Sequence, residues 1–171
     1  MLQIITGDDQ PILREVLKPV KVFDRELEKT VDEMVETMLG PQTGEVVGVG
    51  LAANQVGINA RIMIVTFNVG TRKERKVVPM INPEIVSQSK NTCWMEEGCL
   101  SLPGEFGEVQ RPAKLKVRWQ NEKGHWCEKK IDKWDARIFL HELDHLDGKL
   151  FTDYESRNTR GKKIADLKKT S

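Results

Sequence analysis

Apolar side chains recur at helical spacing near the start of the chain, between Asp24 and Leu39. Asp24 can cap the first turn of such a helix, and Gly40 suits the position after its end. The pattern therefore predicts an amphipathic helix over residues 24–39. Its apolar face is formed by Leu27, Val31, Met34 and Met38.

Two later segments are also typical of helices. Residues 132–147 have Asp132 as a candidate cap at the start and Gly148 as a stop after the end. The tail, residues 158–171, is rich in basic side chains, and we expect it to form a C-terminal helix. The pattern thus predicts helices at both ends of the chain and one shortly before the tail.

Strand patterns fill the middle of the chain. Residues 62–67 are apolar and rich in β-branched side chains, which predicts a buried strand. A charged turn, residues 71–76, precedes a second strand near residues 76–81. Because Pro79 and Pro83 cannot donate backbone hydrogen bonds, we expect that second strand at an edge of the sheet.

A hairpin is predicted closer to the C-terminus. Apolar and polar residues alternate over residues 115–120, as in a strand with one face in water. The turn sequence at 121–124 then allows residues 125–131 to return as its partner. Helices at both ends with strands between them predict an α+β fold, in which a mixed or antiparallel sheet surrounds a central helix.

Composition narrows the class of protein. The chain has 171 residues, and we expect one domain over residues 1–171. Its 27 basic and 26 acidic side chains give a net charge of +1, so we expect no DNA partner. We also expect no membrane association, since no apolar run approaches the roughly 18 residues of a membrane helix. The odd, sparse set of cysteines fits a reducing compartment, so we expect a cytoplasmic protein; they are Cys93, Cys99 and Cys127.

The strongest chemical signal is the run His141-Glu142-Leu143-Asp144-His145. On a helix, residues four apart lie on one face, about 6 Å apart along the axis. Two imidazoles at that spacing can bind one metal ion, and Glu142 between them can move a proton at its open position. Since the chain has only three histidines, this pairing favours a metal site over a solvated helix face.

Two histidines leave a zinc-type site one protein ligand short. Downstream acids offer one candidate, of which Asp166 has the best spacing for an HExxH peptidase. Upstream, Cys99 lies beside Gly98, where the backbone can approach a site closely. Alone, such a cysteine is more often a small buried apolar residue. Beside two imidazoles, its thiolate is the favoured third ligand. We interpret the other two cysteines as structural.

A glycine-rich run at 48–55 is a third candidate element. It lacks the Lys-Ser/Thr of a phosphate-binding loop and follows no strand of a Rossmann unit, so a nucleotide site is disfavoured. Its small residues would let the backbone approach a ligand closely, and Gln55 offers an amide donor. A tightly packed turn is the alternative interpretation of the same residues.

Together, three motifs make the chain resemble the peptide deformylase family. They are Gly-x-Gly-x-Ala-Ala-x-Gln at 48–55, Glu-Gly-Cys-x-Ser at 97–101 and His-Glu-x-x-His at 141–145. Their order and spacing match over residues 11–154. The resemblance implies an α+β fold whose central helix carries the histidine pair. It also implies a hydrolase that removes the formyl group from N-terminal formyl-methionine of new polypeptides and releases formate.

The resemblance further implies a role for each motif residue. Glu142 would act as general base and acid, and Gln55 with the backbone N–H of Leu100 would bind the developing oxyanion. The metal is expected to be a single Fe²⁺ in the cell, with Zn²⁺, Ni²⁺ or Co²⁺ able to replace it. Its ligands would be Cys99, His141 and His145.

Substrate recognition is expected to combine a small formyl site with an apolar methionine slot. Backbone around Gly50 can pair with the peptide as an added strand, which reads main chain without reading sequence. Two positions depart from the family pattern: Leu140 replaces a common Gln, and no Arg follows the cysteine motif until Arg111. Our candidates for the methionine slot are Val49, Leu51, Ile138 and the stem of Glu97.

Other functions remain open from the residues alone. One is an HExxH endopeptidase with Asp166 as third ligand. Another is a metal-containing module that binds RNA without catalysis. The basic tail, residues 158–171, has two interpretations as well, a solvated helix or a contact with ribosomal RNA.

Overall fold

The structure is a computed structural model that describes residues 1–41 and 48–154, together with the backbone of residues 156–157. Two α-helices lie within this part of the chain, α1 (Arg25–Leu39) and α2 (Lys133–Leu146). None of the helices in the described part is long and apolar enough to cross a membrane. The C-terminal helix predicted for residues 158–171 lies outside the described residues.

Helix α1 confirms the first sequence prediction. The Asp24 side chain accepts a hydrogen bond from the Leu27 N–H at 3.0 Å, so Asp24 is the N-cap. The residue after the helix is Gly40, as predicted. The predicted apolar positions are buried and form one side of the main core; they are Leu27, Val31, Met34 and Met38.

Five strands form the larger sheet, and every neighbouring pair is antiparallel. The order is β1-β2-β3-β6-β7, so β1 is an edge strand. The predicted strand at 62–67 and the predicted hairpin are both present. The strands are β1 (Gly50–Ala52), β2 (Ile62–Phe67), β3 (Lys76–Gln88), β6 (Lys114–Gln120) and β7 (Trp126–Asp132).

The prediction that the proline-containing strand is an edge was wrong, because β3 is the middle strand. Its two partners use different halves of it. Strand β2 pairs with residues 76–81, whereas β6 pairs only from Ile81 onward. Pro79 therefore lies beside a paired strand on one side only. Pro83 lies within the register shift between Ile81 and Glu84.

A second, smaller sheet has the order β4-β5-β8 and is also antiparallel. Its strands are β4 (Thr92–Cys99), β5 (Leu102–Pro112) and β8 (Ser156–Arg157). The α+β class and the antiparallel pairing confirm the predicted fold, although the strands divide into two sheets. Sequence analysis did not predict β4 and β5, since residues 92–112 show no regular alternation of apolar and polar positions.

Helix α2 lies between the two sheets and contacts strands of both, β2 and β5 among them. It begins after Asp132, but that side chain makes no capping hydrogen bond, so only the position of the cap was predicted. Gly148 follows the helix with φ of +71°, which explains the stop. On one side, α2 adds Ile138, Phe139 and Leu146 to the main core.

Candidate active site

Three predicted metal ligands come together at the junction of α2 and the smaller sheet. Cys99 ends β4, while His141 and His145 project from α2, and all three are buried. Their candidate ligand atoms lie within 4.8 Å of one another. The Cys99 Sγ and the His145 Nε2 are 3.2 Å apart. The cysteine from one sheet and the histidine pair from the helix thus form one cluster.

The donor set of this cluster fits a divalent transition metal. A thiolate and two imidazoles are the ligands that Zn²⁺ and Fe²⁺ accept, and three protein ligands leave a coordination position open. The pairing of β4 with β5 shifts register between Gly98 and Cys99, directly before the candidate ligand. The other candidate third ligand, Asp166, lies outside the described residues.

Glu97 joins His141 to two arginines. Its side chain is only 2% exposed. The His141 Nδ1 lies 2.8 Å from one carboxylate oxygen, so a proton on Nδ1 is held there and Nε2 is left for a metal. Arg111 Nε and Arg137 Nη1 donate to the other oxygen at 2.6 and 2.8 Å. Burial alone would raise the pKa of Glu97, but hydrogen bonds from His141 and Arg111 hold it well below its usual range.

The two arginines also fasten α2 to the smaller sheet. Arg137 donates to the backbone oxygens of Val109 and Cys93 at 2.7 and 2.9 Å. Arg111 donates to the Asp144 carboxylate at 2.6 Å, which ties β5 to the helix turn between the histidines. Sequence analysis had assigned Glu97 only an apolar stem and had missed both arginine contacts, because these residues meet only in the folded chain.

Glu142 lies beside the metal cluster, against β1. A Cβ atom at Gly50 would collide with its carboxylate, so a side chain at this position would displace the Glu142 carboxylate. The Oε2 atom is buried and has no hydrogen-bond partner among the described residues. Burial raises the pKa of Glu142 to about 7. The carboxyl group is therefore poised to accept or donate a proton near neutrality.

Gln55 lies on the other side of the cysteine. The short 3₁₀ turn Ala53–Val56 holds it, and its Oε1 accepts a hydrogen bond from the Ala52 N–H at 2.8 Å. That bond aims Nε2 at Cys99 Sγ and Ser101 Oγ, at 3.4 and 3.1 Å. The glycine-rich run is thus a tightly packed turn that also brings an amide donor to the cluster.

A cavity of about 280 Å³ opens onto these groups. Of the predicted recognition residues, four line it: Val49, Gly50, Glu97 and Ile138, and Leu100 lines it next to Cys99. Leu51 does not, which corrects that prediction. Since neighbouring strand residues face opposite ways and Gly50 faces Glu142, Leu51 packs in the main core. Sequence analysis did not assign five further lining residues to the site; they are Glu96, Gly98, Phe106, Trp134 and Arg137.

The family model described as polypeptide deformylase matches residues 1–161. The chain belongs to this family. The peptide deformylase of Bartonella tribocorum is 42% identical over 170 residues, which cover 99% of this chain and 92% of that protein. The peptide deformylase of Thermotoga petrophila is 43% identical over 169 residues, covering 97% and 95%. Peptide deformylases are metal-dependent hydrolases that remove the formyl group from nascent peptides, and the chain is an enzyme of this kind.

Solved structures agree with this assignment. The peptide deformylase of Thermotoga maritima superimposes with a TM-score of 0.79 at 42% identity, covering 90% of this chain and 97% of that one. A probable peptide deformylase from Synechococcus phage S-SSM7 gives a TM-score of 0.79 at 38% identity, covering 90% and 99%. Membership of the deformylase family confirms the resemblance and contradicts the endopeptidase and the non-catalytic RNA-binding module.

Proposed function

We propose that Cys99, His141 and His145 hold the single divalent ion of this deformylase, and that Glu142 moves the protons of the reaction. The substrate is the N-terminal formyl-methionine of a newly made polypeptide. The observation that carries the proposal is the buried cluster, whose ligand atoms lie within 4.8 Å beside an unpartnered Glu142 oxygen. A metal held there would supply a Lewis acid that lowers the pKa of water toward about 7.

Glu142 would accept the proton of the attacking water and return it to the leaving amine. Its pKa of about 7, caused by burial, suits both steps, because a group that titrates near the working pH can take and give a proton. Gly50 supports this role, since the absence of a side chain there lets the carboxylate lie directly against β1.

The oxyanion that forms on the formyl group would be bound by two donors of this chain. Gln55 Nε2 is one, since its own Oε1 is occupied by the Ala52 N–H and its amide already faces Cys99. The backbone N–H of Leu100, the residue after Cys99, is the other. Donors fixed in advance stabilise developing charge without having to reorganise during the reaction.

Glu97 would position the metal ligand His141. Its carboxylate accepts the Nδ1 proton, and Arg111 and Arg137 keep that carboxylate charged and fixed. A carboxylate behind a metal-bound imidazole fixes its orientation and makes it a better donor. The role proposed for Glu97 is thus mainly to orient the ligand, in addition to lining the cavity.

Selectivity would follow from the size of the cavity. A formyl carbon carries only hydrogen, so a close-fitting site accepts it and excludes bulkier acyl groups. Methionine would lie against the apolar lining formed by Val49, Ile138 and Trp134. Within the described residues, β1 has a partner strand on one side only, which supports main-chain pairing at Gly50 and suits an enzyme with many different substrates.

The identity of the metal is proposed as Fe²⁺ in the cell, with Zn²⁺, Ni²⁺ or Co²⁺ able to replace it. The thiolate and imidazole donors can bind all of these ions. Such a site has a higher intrinsic affinity for Zn²⁺ than for Fe²⁺. We expect anaerobically prepared protein to be more active with Fe²⁺ than with Zn²⁺. Greater activity with Zn²⁺ under the same conditions would contradict the proposal.

We further propose that residues 1–171 form one catalytic domain that works in the cytoplasm, with residues 158–171 as a basic helix that contacts ribosomal RNA. From Arg157 onward the chain has six basic side chains and one acid, Asp166. Ribosome pelleting across a salt series would test the contact, comparing the full chain with a variant that has its four tail lysines changed to Gln. Equal pelleting of both proteins at every salt concentration would contradict it.

The deciding experiment measures formate release from formyl-Met-Ala-Ser together with metal content in the same sample. We expect release with about one equivalent of metal and no cleavage of internal peptide bonds. Cys99→Ala should lose both metal and activity, whereas His125→Ala, at the exposed third histidine, should lose neither. Full metal content in Cys99→Ala would overturn the proposed ligand set.

A further inference from the structure

The loop between β2 and β3 carries an unusual concentration of positive charge. With Lys76, the first residue of β3, it has four cations and one acid, Glu74, and every residue from 70 to 76 is exposed. No ion pair joins any of the four to an acid in the described part of the chain. Elsewhere on the larger sheet, Lys116 and Arg118 are paired with Glu128 and Glu84 at 2.7 and 2.6 Å. The four cations of this basic hairpin are Arg72, Lys73, Arg75 and Lys76.

The basic hairpin is fastened to the mouth of the active-site cavity. The Asn68 N–H donates to the Asp135 carboxylate at the start of α2, at 2.9 Å. A Cβ atom on Gly70 would lie 3.1 Å from the ring of Trp134, which is 40% exposed and lines the cavity. The Asn68 side chain also donates to the Glu74 backbone oxygen at 2.8 Å, which folds the loop back onto this anchor.

Helix α2 gives the distance from the reaction centre to this mouth. His141, Ile138 and Trp134 all line the cavity, so the cavity follows the helix for two turns. At 1.5 Å per residue, the seven residues from His141 to Trp134 span about 10 Å. An extended peptide covers that distance with about three residues, at roughly 3.3 Å each. A peptide paired antiparallel with β1 at Gly50 would run toward the start of that strand, beside the end of β2, where the basic hairpin begins. Its fourth and later residues would therefore leave the cavity beside the basic hairpin.

We propose that the basic hairpin selects among substrates, favouring formylated polypeptides with acidic residues from about the fourth position onward. This rests on the proposed function, since the formyl end must lie at the metal cluster. Asp135 anchors the hairpin and Glu96 is an exposed acid in the cavity lining, so with Glu74 three acids stand against the four cations. Charges at the mouth of a cleft raise the local concentration of oppositely charged ligands, and salt weakens the effect.

The test compares three formyl-hexapeptides that share Met-Ala-Ser and continue with Asp-Asp-Ala, Ala-Ala-Ala or Lys-Lys-Ala. We expect kcat/KM to be about three- to tenfold higher for the acidic peptide than for the neutral one, and lowest for the lysine peptide. The ratio of acidic to neutral kcat/KM should approach one at about 0.5 M salt.

A charge-matched pair of variants locates the effect. Changing the four hairpin cations to Gln should bring the acidic-to-neutral ratio close to one in low salt. Changing four exposed lysines outside the cavity lining to Gln alters the net charge equally and should leave the ratio as in the wild type; these are Lys21, Lys90, Lys114 and Lys130.

The outcomes separate this inference from the proposed function. Equal kcat/KM for the three peptides, with formate release intact, would overturn the inference alone, whereas no release from any of them would contradict the proposed function. A ratio that falls equally in both variants would show a net-charge effect and overturn the assignment to the hairpin. Hairpin-dependent binding of a single-stranded RNA, with equal peptide rates, would assign the surface to nucleic acid instead.

Discussion

Glu97 shares its negative charge among three partners. The carboxylate is 2% exposed and faces Arg111, Arg137 and His141. Removing one member of a buried ionic group leaves the others without compensation. The stability of the protein and the orientation of a metal ligand thus depend on the same two oxygens.

We therefore expect Glu97→Gln to lower the free energy of unfolding by about 3–5 kcal/mol and to weaken metal binding about 10–100-fold. Urea unfolding and metal titration would measure the two effects. Glu105→Gln, at a half-buried acid on β5, should change neither. Unchanged metal affinity in a folded Glu97→Gln protein would contradict the positioning role.

Gln55 is buried, and its amide orientation is fixed by the Ala52 N–H. Gln55→Ala should lower kcat by about 10²–10³ and change KM little, because a donor to the oxyanion acts mainly in the transition state. Steady-state kinetics on formyl-Met-Ala-Ser would show it. The matched control is Gln110→Ala, at an exposed amide on β5. A rise in KM at constant kcat would instead assign Gln55 to ground-state binding.

Residue types and spacing were enough to predict the metal cluster, because two ligands lie on one helix turn and the third in a short motif. The carboxylate–arginine contacts could not be predicted. Arg111 and Arg137 are far from Glu97 in sequence and carry no spacing signal, and a buried arginine looks like a surface one until its partners are known. Leu51 was misassigned since the facing direction of a three-residue strand depends on its pairing.

At the scale of elements, the sequence correctly predicted each helix or hairpin that is defined by its own residues. Helix α1 and the β6–β7 hairpin are of this kind. Strands β4 and β5 are not. Burial alternates over residues 107–112, but the buried positions there are Gly107, Val109 and Arg111, so the sequence shows no matching alternation of apolar and polar residues. The position of β3 in the sheet could not be predicted from its prolines. Strands β2 and β6 pair with different parts of β3, and the sequence alone does not show this division.

The two helix caps provide a matched test at this scale. The Asp24 side chain accepts a hydrogen bond from Leu27 N–H, whereas the Asp132 side chain makes no capping bond. Asp24→Ala should lower the free energy of unfolding by about 1 kcal/mol, within the range of roughly 0.5–2 for a lost cap. Asp132→Ala should cost clearly less. Urea unfolding of both variants would decide it, and an equal cost would contradict the assignment of the caps.

For the whole molecule, the proposed metal site would add a further link between the smaller sheet and α2, beside the hydrogen bonds of Arg111 and Arg137. Cys99 belongs to the smaller sheet, and the two histidines belong to the helix that packs on the larger one. An ion bound by all three would therefore hold the two sheets together. Binding to the folded chain alone adds RT ln(1 + [L]/Kd) to its stability.

Removal of the metal with a chelator should thus lower the melting temperature, and added Zn²⁺ should restore it. At a free metal concentration about 1,000 times Kd, the stabilisation amounts to about 4 kcal/mol. Differential scanning calorimetry of the wild type and of Cys99→Ala would test this. We expect the metal-dependent part of the shift to be lost in the variant, and an equal shift in both proteins would contradict the ligand set.

The edge position of β1 affects how the enzyme avoids self-association. An unpaired sheet rim that accepts any main chain would equally accept another copy of the protein or a misfolded neighbour. Here that rim is only three residues long, Gly50–Ala52, and it is recessed beside the catalytic helix. The end of a single polypeptide can reach this rim, whereas a broad partner cannot. The enzyme can therefore bind many different chain termini without promoting aggregation.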